Sequence, residues 1–530
     1  MGIFNSNMDL TKGPIAKSIL IFAVPLLISS VIQQLYSTVD LLFVGNVLGT
    51  NASAALGISS LLINCLVNFF IGISTGVTVA IGHLFGAKDK DGIVAANRSS
   101  LAFAVIAGLA VALFGYFFSP VYLELMETPD EVLSDAQTYL NLYFIAMIAV
   151  VLYNVAAGSL RAVGDSFTPL IAQAIGGGLN VAMNFILLCL LHSSIGGVAV
   201  ATLVSNGTAA AITISVLTVK GYMIFPGTKA YREETARGRK SGMTELKKVL
   251  AVGIPVGLQS MTITLANIIA QHQIDLLSVD AIAAYTVYFK VELVIYYAIM
   301  AIGQATTAFV SQNHGAGDHE RMKRGANICQ AMGLIISAAL SVIMLAVGYW
   351  AFWIFNQDPD VIAIGQQIIA ITFPFYFLYS ILEIQGDTIR GLGHSVVPAL
   401  IVFFNICVLR TVLILAITAN GVTVGKIAMC YPISWASTSV CMIIARIYYD
   451  RKHGHTAHGY NYYHDHDEDA DESHHPHEHD YAHERDNDFL RVQVLEVEKG
   501  RGLEQLRESE TASDDLHVGL ADAGIQTALA

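Results

Sequence analysis

Asp40, Lys290, Glu292 and Arg410 are charged residues well inside long apolar runs, where charge is costly. A charged side chain at the centre of a lipid-spanning helix costs roughly 2.5–3.5 kcal/mol on insertion scales, so each needs water, a partner or a task. Asp40 stands alone in the first half of the chain. A carboxylate held there can be neutralised by a proton or by a small cation. Either exchange is the chemistry that lets an ion gradient drive a conformational change. Lys290 and Glu292 are two residues apart, so on a helix they point to different sides and are not natural partners. For this second group an Arg410–Glu292 ion pair across helices and a site for substrate or protons are both open readings. Aromatic side chains such as Tyr36 and Tyr288 could line a cavity through cation–π contacts.

A second concentration of chemistry lies at the C-terminus. His453, His455, His458, His464, His466, His474, His475, His477, His479 and His483 are interleaved with Asp and Glu. Such tracts bind transition metals without fixed geometry, so a metal-sensing tail and a merely solvated one are both open. The segment has little to bury and is expected to be disordered, with a short amphipathic helix over 489–508, and to be dispensable for the work of the rest. The six cysteines (Cys65, Cys189, Cys329, Cys407, Cys430, Cys441) lie in apolar stretches without ligand-like spacing and read as small buried hydrophobes.

The elements that must position these residues are membrane helices. Of 530 residues, 54% are hydrophobic and 13% charged, with a mean hydropathy of +0.57. Soluble chains carry about a quarter charged residues, which excludes that class. The net charge of −13 is concentrated at one end: residues 453–530 hold 5 Lys+Arg against 19 Asp+Glu, and residues 1–452 hold 24 against 23. A near-neutral apolar body with an acidic tail gives no basic surface for nucleic acid.

Twelve runs are long enough to span a bilayer, over about 15–46, 52–81, 94–118, 133–157, 167–191, 196–219, 249–277, 281–309, 326–355, 361–385, 395–419 and 424–447. An all-α membrane protein of twelve helices follows, because barrel strands would alternate over about ten residues. Alternate loops carry Lys88–Arg98, Arg161, Lys220–Lys248, Arg321–Arg324, Arg390 and Arg446–Lys452, whereas the opposite loops carry no Lys or Arg. The positive-inside rule then predicts a multi-pass protein of the plasma (inner) membrane with both termini cytoplasmic.

The chain is also one unit written twice, at an offset of 229. Gly86-Ala87 and Asp89 recur as Gly315-Ala316 and Asp318, and Arg161, Gly164 and Pro169 recur as Arg390, Gly393 and Pro398. Gly196, Ala199 and Ser205 recur as Gly425, Ala428 and Ser434. Six helices per unit is an even number, so this is a parallel repeat, with a binding cavity expected between or within the two bundles. The expected boundaries are 14–220 for the first bundle, 221–245 for a cytoplasmic linker, 246–450 for the second bundle and 453–530 for the tail. Arg161 and Arg390 are read as holding turns at the cytoplasmic face, and Pro25 and Pro255 as bending helices 1 and 7.

At these landmarks the sequence resembles the multidrug and toxic compound extrusion (MATE) family. The residues that carry the resemblance are Pro25 with Gln33-Gln34-Leu35-Tyr36 and Val39-Asp40, then Leu160-Arg161-Ala162-Val163-Gly164-Asp165 with Pro169, and Gln312-Asn313-His314-Gly315-Ala316-Gly317. It covers about 14–450. It implies a monomeric, cofactor-free antiporter in membrane lipid that exports organic cations or amphiphiles in exchange for Na⁺ or H⁺. It also implies companions for Asp40 at Asn154, Asn180, Asn184 and Thr202. Part of the family has Asp where Asn184 stands, and its sodium-coupled branch often has Glu early in helix 7, where Pro255–Thr262 offers none. A flippase for lipid-linked precursors and a divalent-metal exporter are the competing functions. An enzyme fits worst, for there is no nucleotide-binding loop and no nucleophile motif.

Overall fold

The computed structural model describes residues 8–225, 228, 242–418 and 421–454. The readings made above for most of the linker and for the tail beyond residue 454, including its histidines, lie outside the described residues.

Twelve spans form, as the hydropathy requires: α1 Ile15–Leu48, α2 Thr50–Gly86, α3 Lys90–Leu125, α4 Asp130–Ala162, α5 Phe167–Leu190, α6 Gly196–Val219, α7 Gly242–Asp275, α8 Val279–Gly315, α9 His319–Phe355, α10 Pro359–Gly391, α11 Val396–Ile417 and α12 Val424–Lys452. In lipid every backbone N–H and C=O must be satisfied within the segment, and a helix does this alone. The repeat is visible in the backbone. The helices that start at Thr50, Lys90, Asp130 and Phe167 recur 229 residues on, at Val279, His319, Pro359 and Val396.

The ends of the helices recur too. Asp89 and Asp318 each cap the following helix, accepting from Gly92 N at 3.0 Å and Arg321 N at 2.9 Å. After α4 and α10 the chain turns through Gly164 (φ 85°) and Gly393 (φ 92°), a left-handed conformation in which a side chain would be strained. Leu160 O accepts from Asp165 N at 2.9 Å and Ile389 O from His394 N at 3.2 Å, so both helices end in the same hydrogen-bonded turn.

The two six-helix bundles meet where α2 crosses α7 and α8, in the half of the molecule nearer the Lys/Arg-rich loops, here called the basic face. The crossing is backbone against backbone. A Cβ on Gly76 would lie 2.3 Å from Val249 O, and one on Gly86 would lie 2.0 Å from Gln312 O. Small residues let helices approach this closely where lipid offers no hydrophobic gain for association.

The chain ahead of α1 closes the same face. Leu10 N donates to Gln312 Oε1 (3.0 Å), Gln312 Nε2 to Ala162 O (2.7 Å) and Met8 N to Gly164 O (3.2 Å). Asn313 Nδ2 donates to Leu10 O (3.3 Å) and Arg321 Nη2 to Lys12 O (2.9 Å). Gln312 therefore links the first bundle, the second bundle and the N-terminal strap. Two buried hydrogen bonds contribute about 0.5–1.5 kcal/mol each. Gln312→Ala should therefore raise the rate at which maleimide reaches a cysteine placed at buried Ser311 by about tenfold, in a background without the six native cysteines. An unchanged rate would mean that the strap does not hold this face shut.

Candidate functional site

Helix α1 enters from the basic face and carries Asp40 roughly 36 Å along its axis, at 1.5 Å per residue from Ala16. Helix α5 brings Asn180 and Asn184 to it from one face, as their i,i+4 spacing requires. Asn184 Nδ2 donates to Asp40 Oδ1 at 2.5 Å and to Asn180 Oδ1 at 3.2 Å. Both asparagines are buried, and among the described residues Asn180 Nδ2 and Asn184 Oδ1 have no hydrogen-bond partner. A buried amide atom left unpaired costs free energy, so this trio has polar capacity that the protein itself does not fill. Tyr139 and Tyr143, with ring centroids 5.6 Å apart, stand within electrostatic reach of Asp40, and Tyr36 accepts a hydrogen bond from Gln173 Nε2 at 3.0 Å.

The two other expected companions do not join the trio. Asn154 Nδ2 donates to Val150 O at 2.9 Å and Thr202 Oγ1 to Val198 O at 3.0 Å, each on its own helix. Spacing alone does not reveal this, because back-bonding to the carbonyl four residues earlier competes with every other use of such side chains.

In the second bundle Glu292 accepts a hydrogen bond from Tyr376 Oη. Arg410 Nε donates to Ser434 Oγ at 3.0 Å, and its guanidinium lies 4.6 Å from the Tyr431 ring centroid. Among the described residues no Arg410–Glu292 ion pair forms, so that reading is replaced by two separate polar contacts. Tyr288 donates to Thr372 Oγ1 at 3.1 Å and is 1% exposed. It belongs to the core of its bundle and lines no open cavity, contrary to the expectation from its type. Lys290 is exposed on α8, and Glu292 points elsewhere.

Two carboxylates that sequence reasoning passed over complete the picture. Glu383, Asp387 and Arg390 share one face of α10 and are all buried. Arg390 Nη1 lies 2.5 Å from Asp387 Oδ1 and 3.3 Å from Glu383 Oε1, and Thr307 Oγ1 donates to Asp387 Oδ1 at 2.9 Å. The i, i+4, i+7 spacing was the available signal, but it overlaps the end of the hydrophobic run, where Arg390 reads as a turn residue. Arg390 instead reaches back into its bundle. Its repeat mate Arg161 has neutral partners, Ser74 Oγ at 2.8 Å and Gln304 Oε1 at 3.5 Å. Where the second unit has Glu383 and Asp387, the first has Asn154 and Gly158.

The MatE family profile matches residues 25–186 and 255–415, more than half of the chain. The chain is 26% identical over 400 residues to the probable multidrug resistance protein YoeA of Bacillus subtilis, covering 75% of this chain and 85% of that one. It is 22% identical over 404 residues to the probable multidrug resistance protein NorM of Thermotoga maritima, covering 75% and 84%. Among solved structures, an outward-facing multidrug resistance MATE family transporter of the MOP superfamily superposes with a TM-score of 0.77 at 18% identity, over 85% of this chain and 99% of that one. A MOP superfamily transporter from Pyrococcus furiosus, described as having a binding pocket of reverse polarity, gives 0.75 at 19% identity, over 86% and 99%.

Proposed function

Because the chain belongs to the MatE family of multidrug efflux transporters, we propose that it is a proton-coupled antiporter that exports amphiphilic organic molecules across the plasma membrane by alternating access. Both termini and the basic face are then cytoplasmic, in line with the loop charges.

The observation that carries this reading is the Asp40–Asn184–Asn180 trio, with its two unfilled amide atoms inside the first bundle. Its composition favours a proton over Na⁺. A hard cation wants several oxygen ligands, whereas Asp40 is the one carboxylate of the trio and Asn184 turns its Nδ2, not its oxygen, onto it. A proton needs only Asp40. The contacts at the basic face give the second requirement, a barrier on one side that must open when the site changes occupancy. An ion shifts a conformational equilibrium only by its differential affinity for the two states, so the trio has to hold its proton differently when that face opens.

The experiment is efflux of a fluorescent amphiphile from proteoliposomes, with pH and Na⁺ gradients imposed separately. The expected result is concentrative transport under the pH gradient at symmetric Na⁺. Transport that follows Na⁺ and ignores pH would transfer the coupling to Na⁺.

A further inference from the structure

We infer that the substrate-facing cleft between the bundles selects molecules with an anionic group on an apolar body, and that Lys290 is the residue that recognises it. The inference deepens the exporter reading and rests on it for the direction of transport.

Helix α8 turns one stripe of side chains toward the first bundle. Near the basic face Ala301 and Ala305 are buried against Phe22, Ala23 and Leu26 of α1. One turn before Ala301, Tyr297 Oη donates to Gln34 Oε1 of α1 at 3.1 Å. Past that contact the stripe continues through Val294, 54% exposed, to Lys290, also exposed. Spacings of three and four residues keep these positions on one helix face. Helix α1 behaves in the same way: beyond Gln34 its matching stripe passes through exposed Thr38 to Leu41, 48% exposed. The two helices therefore touch up to the Gln34–Tyr297 bond and part beyond it. Lys290 lies roughly 10 Å further along, at 1.5 Å per residue, on the wall of the opening.

The charge balance of that opening is one-sided. Among the described residues, Asp40, Lys290, Glu292, Glu383, Asp387 and Arg410 are the ionisable residues in the middle of the spans that bear on it, and only Lys290 is exposed. Its ammonium has no hydrogen-bond or ion-pair partner among the described residues, whereas Asp40 and Glu292 turn into their own bundles, onto Asn184 and Tyr376. Thr38, Leu41 and Val294 supply an otherwise uncharged wall. A solvated ammonium at mid-membrane depth, flanked by apolar surface and facing no fixed carboxylate, attracts a carboxylate, sulfonate or phosphate and repels an organic cation. The organic-cation expectation came from family resemblance, and among the described residues no exposed acid at mid-span depth supports it.

The test uses the full-length purified protein and two dansyl probes with the same short alkyl chain, one ending in a carboxylate and the other in an amine. The wild type is expected to bind the carboxylate probe more tightly. Lys290→Met should weaken that binding about tenfold, Lys290→Arg should retain it, and the amine probe should be unchanged or bound more tightly by Lys290→Met. Lys290 packs against no partner group, so both variants should elute as the folded wild type does. A labelled phosphatidylglycerol distinguishes the two sources of the same chemistry. Lys290-dependent movement of that lipid in proteoliposomes, with a weaker effect on the soluble carboxylate, would assign the anion to a lipid headgroup. Tighter binding of the amine probe by the wild type, or equal carboxylate binding by wild type and Lys290→Met, would overturn the inference. If Lys290-dependent binding is seen but neither soluble probe crosses the bilayer under any gradient, the exporter reading fails and the anion site stands.

Discussion

Asp40→Asn should reduce gradient-driven export to the rate of empty liposomes while leaving substrate affinity within about twofold of wild type. The substitution keeps size and hydrogen-bonding shape and removes the titration. A ligand with equal affinity for two conformations shifts nothing between them, so without a group that exchanges its proton the pH gradient has no hold on the bundles. Asn180 and Asn184 remain in place but are amides, which neither gain nor lose a proton at accessible pH. Efflux under a pH gradient and probe binding at equilibrium, measured on the same purified variant, separate coupling from binding. Wild-type efflux by Asp40→Asn would remove Asp40 from the mechanism and make Glu292, the carboxylate held by Tyr376, the next candidate.

The largest expected effect on stability is at Arg390. It is the cation in contact with two buried carboxylates, Glu383 at 3.3 Å and Asp387 at 2.5 Å. Removing one partner of a buried ion pair leaves an uncompensated charge, which costs about 3–5 kcal/mol. Arg390→Ala should therefore destabilise the protein by about that much in denaturant or detergent unfolding. Arg161→Ala, which breaks hydrogen bonds to neutral Ser74 and Gln304, should cost only about 1–3 kcal/mol. The two arginines occupy equivalent places in the repeat, so the comparison holds local architecture nearly constant. Adding Glu383→Gln and Asp387→Asn to Arg390→Ala should restore much of the loss, because the unpaired charges are then gone. Equal losses for the two arginine variants, or no rescue, would mean that charge is not the reason Arg390 is buried.

The fold was legible because its causes are local. Twelve apolar runs follow from the demand that a lipid-embedded backbone bond to itself, and the 229-residue offset was written in residues that shape helix ends, such as Asp89/Asp318 and Gly164/Gly393. The helices run past the apolar stretches at many ends, α2 over Thr50–Gly86 where hydropathy marks 52–81. Capped polar turns outside the lipid remain helical without being hydrophobic.

The site was legible only in part. Asp40 announced itself by its cost, and Asn180 with Asn184 by their spacing and by family resemblance. Asn154 and Thr202 matched by position but had a closer acceptor on their own helices. Tyr288 offered a ring of the right kind in a place without open space. Glu383 and Asp387 were hidden because their charges are balanced by a residue that reads as a turn, and that balance exists only after folding. Lys290 was visible as a charge, but its exposure follows from where α1 and α8 part, which no single helix records.

Pulsed electron spin resonance distances between the bundles test the central claim most directly. Spin labels at Asn51, at the start of α2, and at Leu276, just after α7, both exposed on the face opposite the basic loops, report the opening between the bundles. If protonation of Asp40 drives the change between the two faces, lowering the pH should redistribute the Asn51–Leu276 distances in the wild type and leave them fixed in Asp40→Asn. The same pH-dependent redistribution in both proteins would contradict the assignment of Asp40 as the coupling group.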